Sequence, residues 1–299
     1  MFKKLIINIL NQIKLEFMIK ISSFANVIKH YDAIFFDAFG VLKNYNGLIE
    51  GVAETIYSLH DNHKQLFILT NDSSRSPFEL AKKYQQQGIN LFTEENVVSS
   101  GMLAREYLQL KIKKGTIAYL GTKNSAYYVE NLGLPTLPIS EVLPEKFSDI
   151  SALVLLDEEG FNWEKDLSKT INLLRHKNIP VVVANTDRTY PVSKNEINIA
   201  IGGIANMLED IVGKRFIRFG KPDVPLFIYA YDKLSKIKDI PKNKILMVGD
   251  TLHTDILGGN KFGIHTALVL SGNTQPDQYN YIINSSGIIP DHVCLSAVI

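Results

Sequence analysis

From residue 31 onward the chain alternates short apolar runs with longer stretches of helical spacing, and this rhythm limits its fold more than any other feature. Strand-like runs fall at 33–37, 65–70, 97–100, 116–120, 152–156, 180–185, 215–219, 244–249 and 265–270. Helix-like stretches lie between them at 51–63, 76–88, 101–110, 124–132, 163–177, 203–212, 222–235 and 254–262. Strands that alternate with helices are the signature of parallel βαβ units, so an α/β fold is expected. Ser76-Pro77, Asn124 and Pro222 stand where helices should begin, and Gly88, Gly133, Gly213 and Gly263 where they should stop.

Four of these runs close on residues suited to a phosphate or a divalent cation. Residues 34–42 read Ile-Phe-Phe-Asp-Ala-Phe-Gly-Val-Leu, which delivers Asp37 to the C-terminal end of a buried strand. Open α/β sheets bind their ligands at that end. Thr70-Asn71, Gly220-Lys221-Pro222 and Gly249-Asp250, with Asp255 shortly after, close three further runs. An aspartate can attack phosphorus and form an aspartyl-phosphate, which divides hydrolysis into two easier displacements. Carboxylate and phosphate repel each other, so a hard cation between them is expected. Asp37 and Asp250 suit Mg2+, with the backbone carbonyl of Phe39 as the third protein ligand. Asp255 can bind the ion through water or orient the groups that do. The Thr70 hydroxyl, the N–H groups around Asn71 and the point charge of Lys221 suit a phosphate. Each residue alone has a plain structural alternative, a helix cap for the threonine and a solvated surface for the lysine. Only the ordered series makes a site.

The series is split by a long insertion between Thr70 and Lys221 that carries its own strands and helices. Its joints are expected at Lys111–Gly115 and Gly213-Lys214. This gives an N-terminal extension at 1–24, a core domain in two parts at 25–113 and 215–299, and an inserted domain at 114–214. Such a layout puts the site in a crevice that closes over a small ligand and excludes water. With 32 basic and 31 acidic residues there is no global field favouring nucleic acid or membrane. The single cysteine, Cys294, excludes an intrachain disulfide and fits a cytoplasmic location. No apolar run approaches the ~20 residues of a bilayer span. Residues 1–17 read as an extension ahead of a start at Met18.

The strings Asp37-Ala-Phe-Gly-Val-Leu, Thr70-Asn-Asp-Ser-Ser-Arg-Ser, Gly220-Lys-Pro-Asp and Gly249-Asp-Thr-Leu-His-Thr-Asp-Ile-Leu-Gly-Gly resemble the haloacid dehalogenase superfamily. The likeness is to its class IIA branch of 4-nitrophenylphosphatase-like and sugar or nucleotide phosphatases. Asn162-Trp163 and Ala184-Asn-Thr-Asp187, in the insertion, look like the same branch. The resemblance implies a Rossmann-like parallel-sheet core, an inserted α/β cap of type 2, Mg2+ and an aspartyl-phosphate intermediate. It implies that Asp37 is the nucleophile, that Thr70, Asn71 and Lys221 hold phosphate, and that Asp250 holds the metal. Cap loops facing the core set specificity in this branch, so Glu159, Asn185 and Asp187 are candidates for contact with a small phosphorylated metabolite. Caps there often mediate dimers, which makes a homodimer through the cap an expectation.

The chain departs from that pattern at Phe39. Most phosphatases of the superfamily carry a second aspartate there, which protonates the leaving oxygen and then activates water. General acid–base help is worth ~100- to 10,000-fold, so alkyl phosphates should suffer most and aryl, acyl or enol phosphates least. A phosphate-binding pseudoenzyme, a phosphotransferase with a long-lived intermediate, and a dehalogenase are the competing readings. Asp250 speaks against the last. Among the remaining residues, His253 reads as a surface histidine, Asp72 as a turn former, Trp163 as cap core, and Gly202-Gly203 as a turn.

Overall fold

A computed structural model describes residues 19–193 and 196–299. The proposed extension up to Met18 lies outside the described residues. The core sheet has six strands in the order His292–Cys294, His265–Val269, Ile245–Gly249, Ala33–Phe36, Gln65–Thr70 and Val97–Ser99, all parallel. Chain order runs outward in both directions from Ala33–Phe36, so Asp37 emerges at the point where the sheet's winding reverses. Phe36 is level with Val248 on one side and Ile68 on the other. That register brings Asp37, Thr70 and Asp250 out along one edge.

A parallel sheet covered on both faces needs strands that are apolar throughout. Ile34, Phe36, Leu66, Ile68, Leu246 and Val248 pack into one core, and Ala33, Phe35, Phe67, Leu69, Ile245 and Met247 into the other. Alternate side chains therefore point to opposite faces, as the period of two requires. All four residues of Ala33–Phe36 are fully buried.

The inserted domain is built the same way. Its five parallel strands run Ile217–Arg218, Val181–Val183, Ile150–Leu155, Thr116–Leu120 and Thr136–Pro138. The helix Ser100–Lys111 lies between the two sheets, with Ala104 and Leu108 buried against Tyr128 and Val129 of the cap. A Cβ on Gly101 would sit 2.6 Å from the Tyr128 ring, so only glycine admits that ring here. The Tyr128 hydroxyl donates to Arg75 O at 2.6 Å and lies 2.9 Å from Ser99 Oγ. Apolar packing and these hydrogen bonds fix the cap against the core.

Several expectations need correction. The cap extends past residue 214, because Ile217–Arg218 pairs with Val182–Val183 in the cap sheet. The helix expected at 124–132 is only a short 3-10 turn, Ser125–Tyr128. Burial of Ala126, Tyr128 and Val129 mimics helical spacing, but Asn131 takes a positive φ of 57° that a helix does not allow. The strands Thr136–Pro138 and His292–Cys294 and the helix Tyr279–Ser286 were not expected. Both strands lie at sheet edges, where three residues carry too little apolar pattern to read. Trp163 is not cap core: it is 43% exposed, with its indole N–H donating to Glu158 O at 3.1 Å. Among the described residues, no helix is long and apolar enough to cross a membrane.

Candidate active site

Lys221 organises the site. Its side chain is 2% exposed, and Nζ lies 2.6 Å from Asp37 Oδ1, 2.7 Å from Asp255 Oδ1 and 2.9 Å from Leu69 O. Burial opposes its charge, but the carboxylates of Asp255 and Asp37 outweigh burial and hold the ammonium above the ordinary lysine range. Asp255 is fully buried on the irregular turn Leu252–Ile256, and its Oδ2 accepts the Thr251 N–H at 3.1 Å.

Among the described residues Asp250 forms no ion pair. Its carboxylate accepts the Asn273 N–H at 2.6 Å and the Thr251 hydroxyl at 2.9 Å. Burial, then the charge of Asp37, raises its pKa. Burial is also the main cause of the upward shift at Asp255. Gly40 has a φ of +77°, and a Cβ there would meet Asp250 Oδ2 at 2.1 Å. Glycine is thus required in the turn after Asp37 both for its conformation and for the approach of that carboxylate. Oxygens of Asp37, Asp250 and Asp255 lie within 4.8 Å of one another. Three carboxylates around one ammonium leave the cluster short of positive charge, and hard oxygen donors suit Mg2+.

The cluster opens into a cavity of about 1170 Å³ between core and cap. Asp37, Phe39, Thr70, Asn71, Lys221 and Asp250 line it from the core, and Glu159, Asn185 and Asp187 from the cap. Every candidate from the sequence except Asp255, which lies behind Lys221, therefore borders this one space. Thr70 is buried, and its hydroxyl accepts the Asp72 N–H at 3.1 Å, which closes the loop after the strand. Asp72 does form a turn, accepting the N–H of Ser74 at 2.9 Å and its hydroxyl at 2.6 Å, but it also borders the cavity. His253 is exposed at the rim.

Asn71 is used differently from the expectation. Its Oδ1 accepts the Lys221 N–H at 2.7 Å, and Nδ2 donates to Thr186 Oγ1 at 3.1 Å, Asp187 Oδ1 at 2.9 Å and Lys221 O at 3.2 Å. The side chain ties the cap loop to the backbone of Lys221, leaving only main-chain groups for a phosphate. Asp187 is raised chiefly by burial, against which the Asn71 hydrogen bond works. A Cβ on Gly202 would approach the carbonyls of Thr186 and Asp187 to 2.5 Å, so that glycine lets the next helix pack on the same loop.

Sequence reasoning passed over Thr186, Thr251 and the Gly272-Asn273 pair. The last was findable, since it follows the strand His265–Val269 at the same sheet edge as Asp37.

A parallel sheet that carries this carboxylate–lysine cluster beneath an inserted α/β cap defines a capped α/β hydrolase. Residues 34–135 match the model of haloacid dehalogenase-like hydrolases and 218–296 a second model of the same kind, and the chain belongs to that family. A possible sugar phosphatase of the superfamily from Cytophaga hutchinsonii is 54% identical, with a TM-score of 0.91 over 94% of this chain and 99% of that one. The 4-nitrophenylphosphatase of Thermotoga maritima is 26% identical, with a TM-score of 0.73 over 91% and 96% of the two chains. A chloroplastic phosphoglycolate phosphatase of Arabidopsis thaliana is 29% identical over 261 residues, 83% of this chain and 71% of that protein. The chain is a phosphatase-type hydrolase of the class IIA branch.

Proposed function

We propose that the protein is a Mg2+-dependent phosphohydrolase of a small phosphorylated metabolite, such as a sugar phosphate, acting through an aspartyl-phosphate on Asp37. The observation that carries this reading is the cluster of Asp37, Asp250, Asp255 and Lys221, of which Asp37, Asp250 and Lys221 border the core–cap cavity. Asp37, the Phe39 carbonyl and Asp250 would hold the ion, with Asp255 orienting the group through Lys221. When bound, Mg2+ screens the repulsion between carboxylate and phosphate and neutralises charge on the transferring group.

The Thr70 hydroxyl, the main-chain N–H groups after it and Lys221 hold the phosphate oxygens. Lys221 also holds Asp37 by Oδ1, which fixes the carboxylate for attack. A carboxylate oxygen of Asp37 attacks phosphorus while the bond from phosphorus to the ester oxygen breaks. Water then attacks the phosphoryl group and frees the Asp37 carboxylate. Phe39 borders the cavity two residues after Asp37 and can neither give nor take a proton. Good leaving groups are therefore favoured, and the second step is slow.

Turnover of 4-nitrophenyl phosphate tests the proposal. Activity with Mg2+ that disappears with EDTA and in Asp37→Asn is expected. Activity retained in Asp37→Asn would rule out the aspartyl-phosphate route.

A further inference from the structure

Two cations on the core side of the cavity take no part in the chemistry above. Lys43 and Arg75 both border the cavity, and neither forms an ion pair among the described residues. We propose that Lys43 and Arg75 form a second anion subsite, so that the preferred substrates are phosphomonoesters carrying a carboxylate or a second phosphate away from the reacting ester. This rests on the phosphatase reading and adds a substrate class to it.

Both side chains rise from anchored backbone. The chain turns after Asp37 so that Gly40 N–H donates to Lys43 O at 2.7 Å and Lys43 N–H to Ala38 O at 3.1 Å. Lys43 Nζ then lies 5.8 Å from the centre of the buried Tyr84 ring. Arg75 sits on the loop that starts at Asn71, with its carbonyl held by the cap's Tyr128 hydroxyl at 2.6 Å. One guanidinium nitrogen donates to Ser74 Oγ at 3.1 Å, the only hydrogen bond its side chain makes among the described residues.

The cations lie close enough to act on one neighbour. After burial, the charges of Arg75 and Lys43 are what lower the pKa of Lys83. The carboxylates nearby are engaged elsewhere: Asp72 Oδ1 accepts from Ser74, and Glu79 Oε2 closes the capping box with Ser76. On the cap side, Asp157 accepts from the Thr122 hydroxyl at 3.2 Å and Glu158 from the Ile201 N–H at 3.1 Å, and neither forms an ion pair with Lys43 or Arg75. A guanidinium fork and an ammonium bordering the same cavity can each bind carboxylate or phosphate oxygens. The place of Lys43 next to Phe39 puts it on the wall of the cavity that borders the catalytic turn.

Titration calorimetry with phosphonates separates the subsite from the catalytic reading, since these ligands are not hydrolysed. In the presence of Mg2+, phosphonoacetate and methylenediphosphonate are expected to bind about 10-fold tighter than methylphosphonate, as one additional charge-assisted contact allows. Lys43→Gln with Arg75→Gln should reduce that advantage to less than about twofold and leave methylphosphonate binding unchanged. An advantage for phosphonoacetate alone assigns the subsite to carboxylates, and for methylenediphosphonate alone to a second phosphate. Equal affinities for all three in the unaltered protein would overturn the subsite while leaving the phosphatase reading intact. An advantage that survives the double substitution would overturn the assignment to these two residues. Binding of none of them would remove the phosphate site itself, and the subsite with it.

Discussion

Replacing Asn71 should loosen the cap from the core, and the cost follows from its partners. Asn71 is 2% exposed and its amide bonds the Lys221 N–H and O, Thr186 Oγ1 and Asp187 Oδ1. In Asn71→Ala the Thr186 hydroxyl keeps its bond to Lys221 O at 2.9 Å. The Lys221 N–H and Asp187 Oδ1 lose theirs. A buried polar group left unpaired costs about 1–3 kcal/mol, so a loss of about 2–6 kcal/mol is expected from the two together. Asn71→Asp should be worse, because it keeps the acceptor for Lys221 but sets a second carboxylate against Asp187. Asn71→Ala combined with Asp187→Ala should lose less than the two single changes summed, since the pair is then removed from both sides. Urea unfolding of these variants measures each difference. A loss below about 1 kcal/mol in Asn71→Ala, or an Asn71→Asp variant more stable than it, would refute the reasoning.

Three further outcomes follow from the same geometry. Phe39→Asp should raise turnover of alkyl phosphates about 100-fold or more relative to 4-nitrophenyl phosphate, measured by phosphate release, and an unchanged ratio would mean another group moves the proton. Lys221→Met should abolish turnover and lower stability by about 3–5 kcal/mol in chemical denaturation without added metal, because the buried Asp255 carboxylate is left without its cation. Glu158 is pushed up to about 7, first by burial and then by the charge of Asp157. The fold therefore holds that proton more tightly than the open chain does. Its contribution is complete below the ordinary glutamate range and is lost as pH rises through about 7. Glu158→Gln should flatten the decline in thermal midpoint between those limits, and an unaltered decline would assign the slope elsewhere.

Much of the fold was legible because burial leaves a local record. The run Ala33–Phe36 is apolar throughout because both faces of its strand are covered, and the same holds for Ile245–Gly249. Short edge strands such as His292–Cys294 leave no comparable trace, and the turn Ser125–Tyr128 reads as helix because its apolar residues are buried for a different reason. Candidate site residues were legible where a polar residue ended an apolar strand, since the sheet itself gathers such ends along one edge. That rule located Asp37, Thr70 and Asp250 at the cavity but could not say what each side chain touches, and Lys221 reaches the cavity from beyond the cap-sheet strand Ile217–Arg218 instead.

The sequence by itself determined an alternating α/β chain with carboxylates, a hydroxyl and an ammonium at its strand ends, because periodicity and strand-end chemistry are local properties. Only the tertiary structure decided that Lys221 joins Asp37 to Asp255, and that Asn71 spends its amide on residues 115 and 116 positions further along. It alone brought Lys43 and Arg75 to the cavity without an ion pair among the described residues. Hydrogen bonds and ion pairs act over a few ångströms of space, and distance along the chain does not record which groups the packing of two domains brings that close.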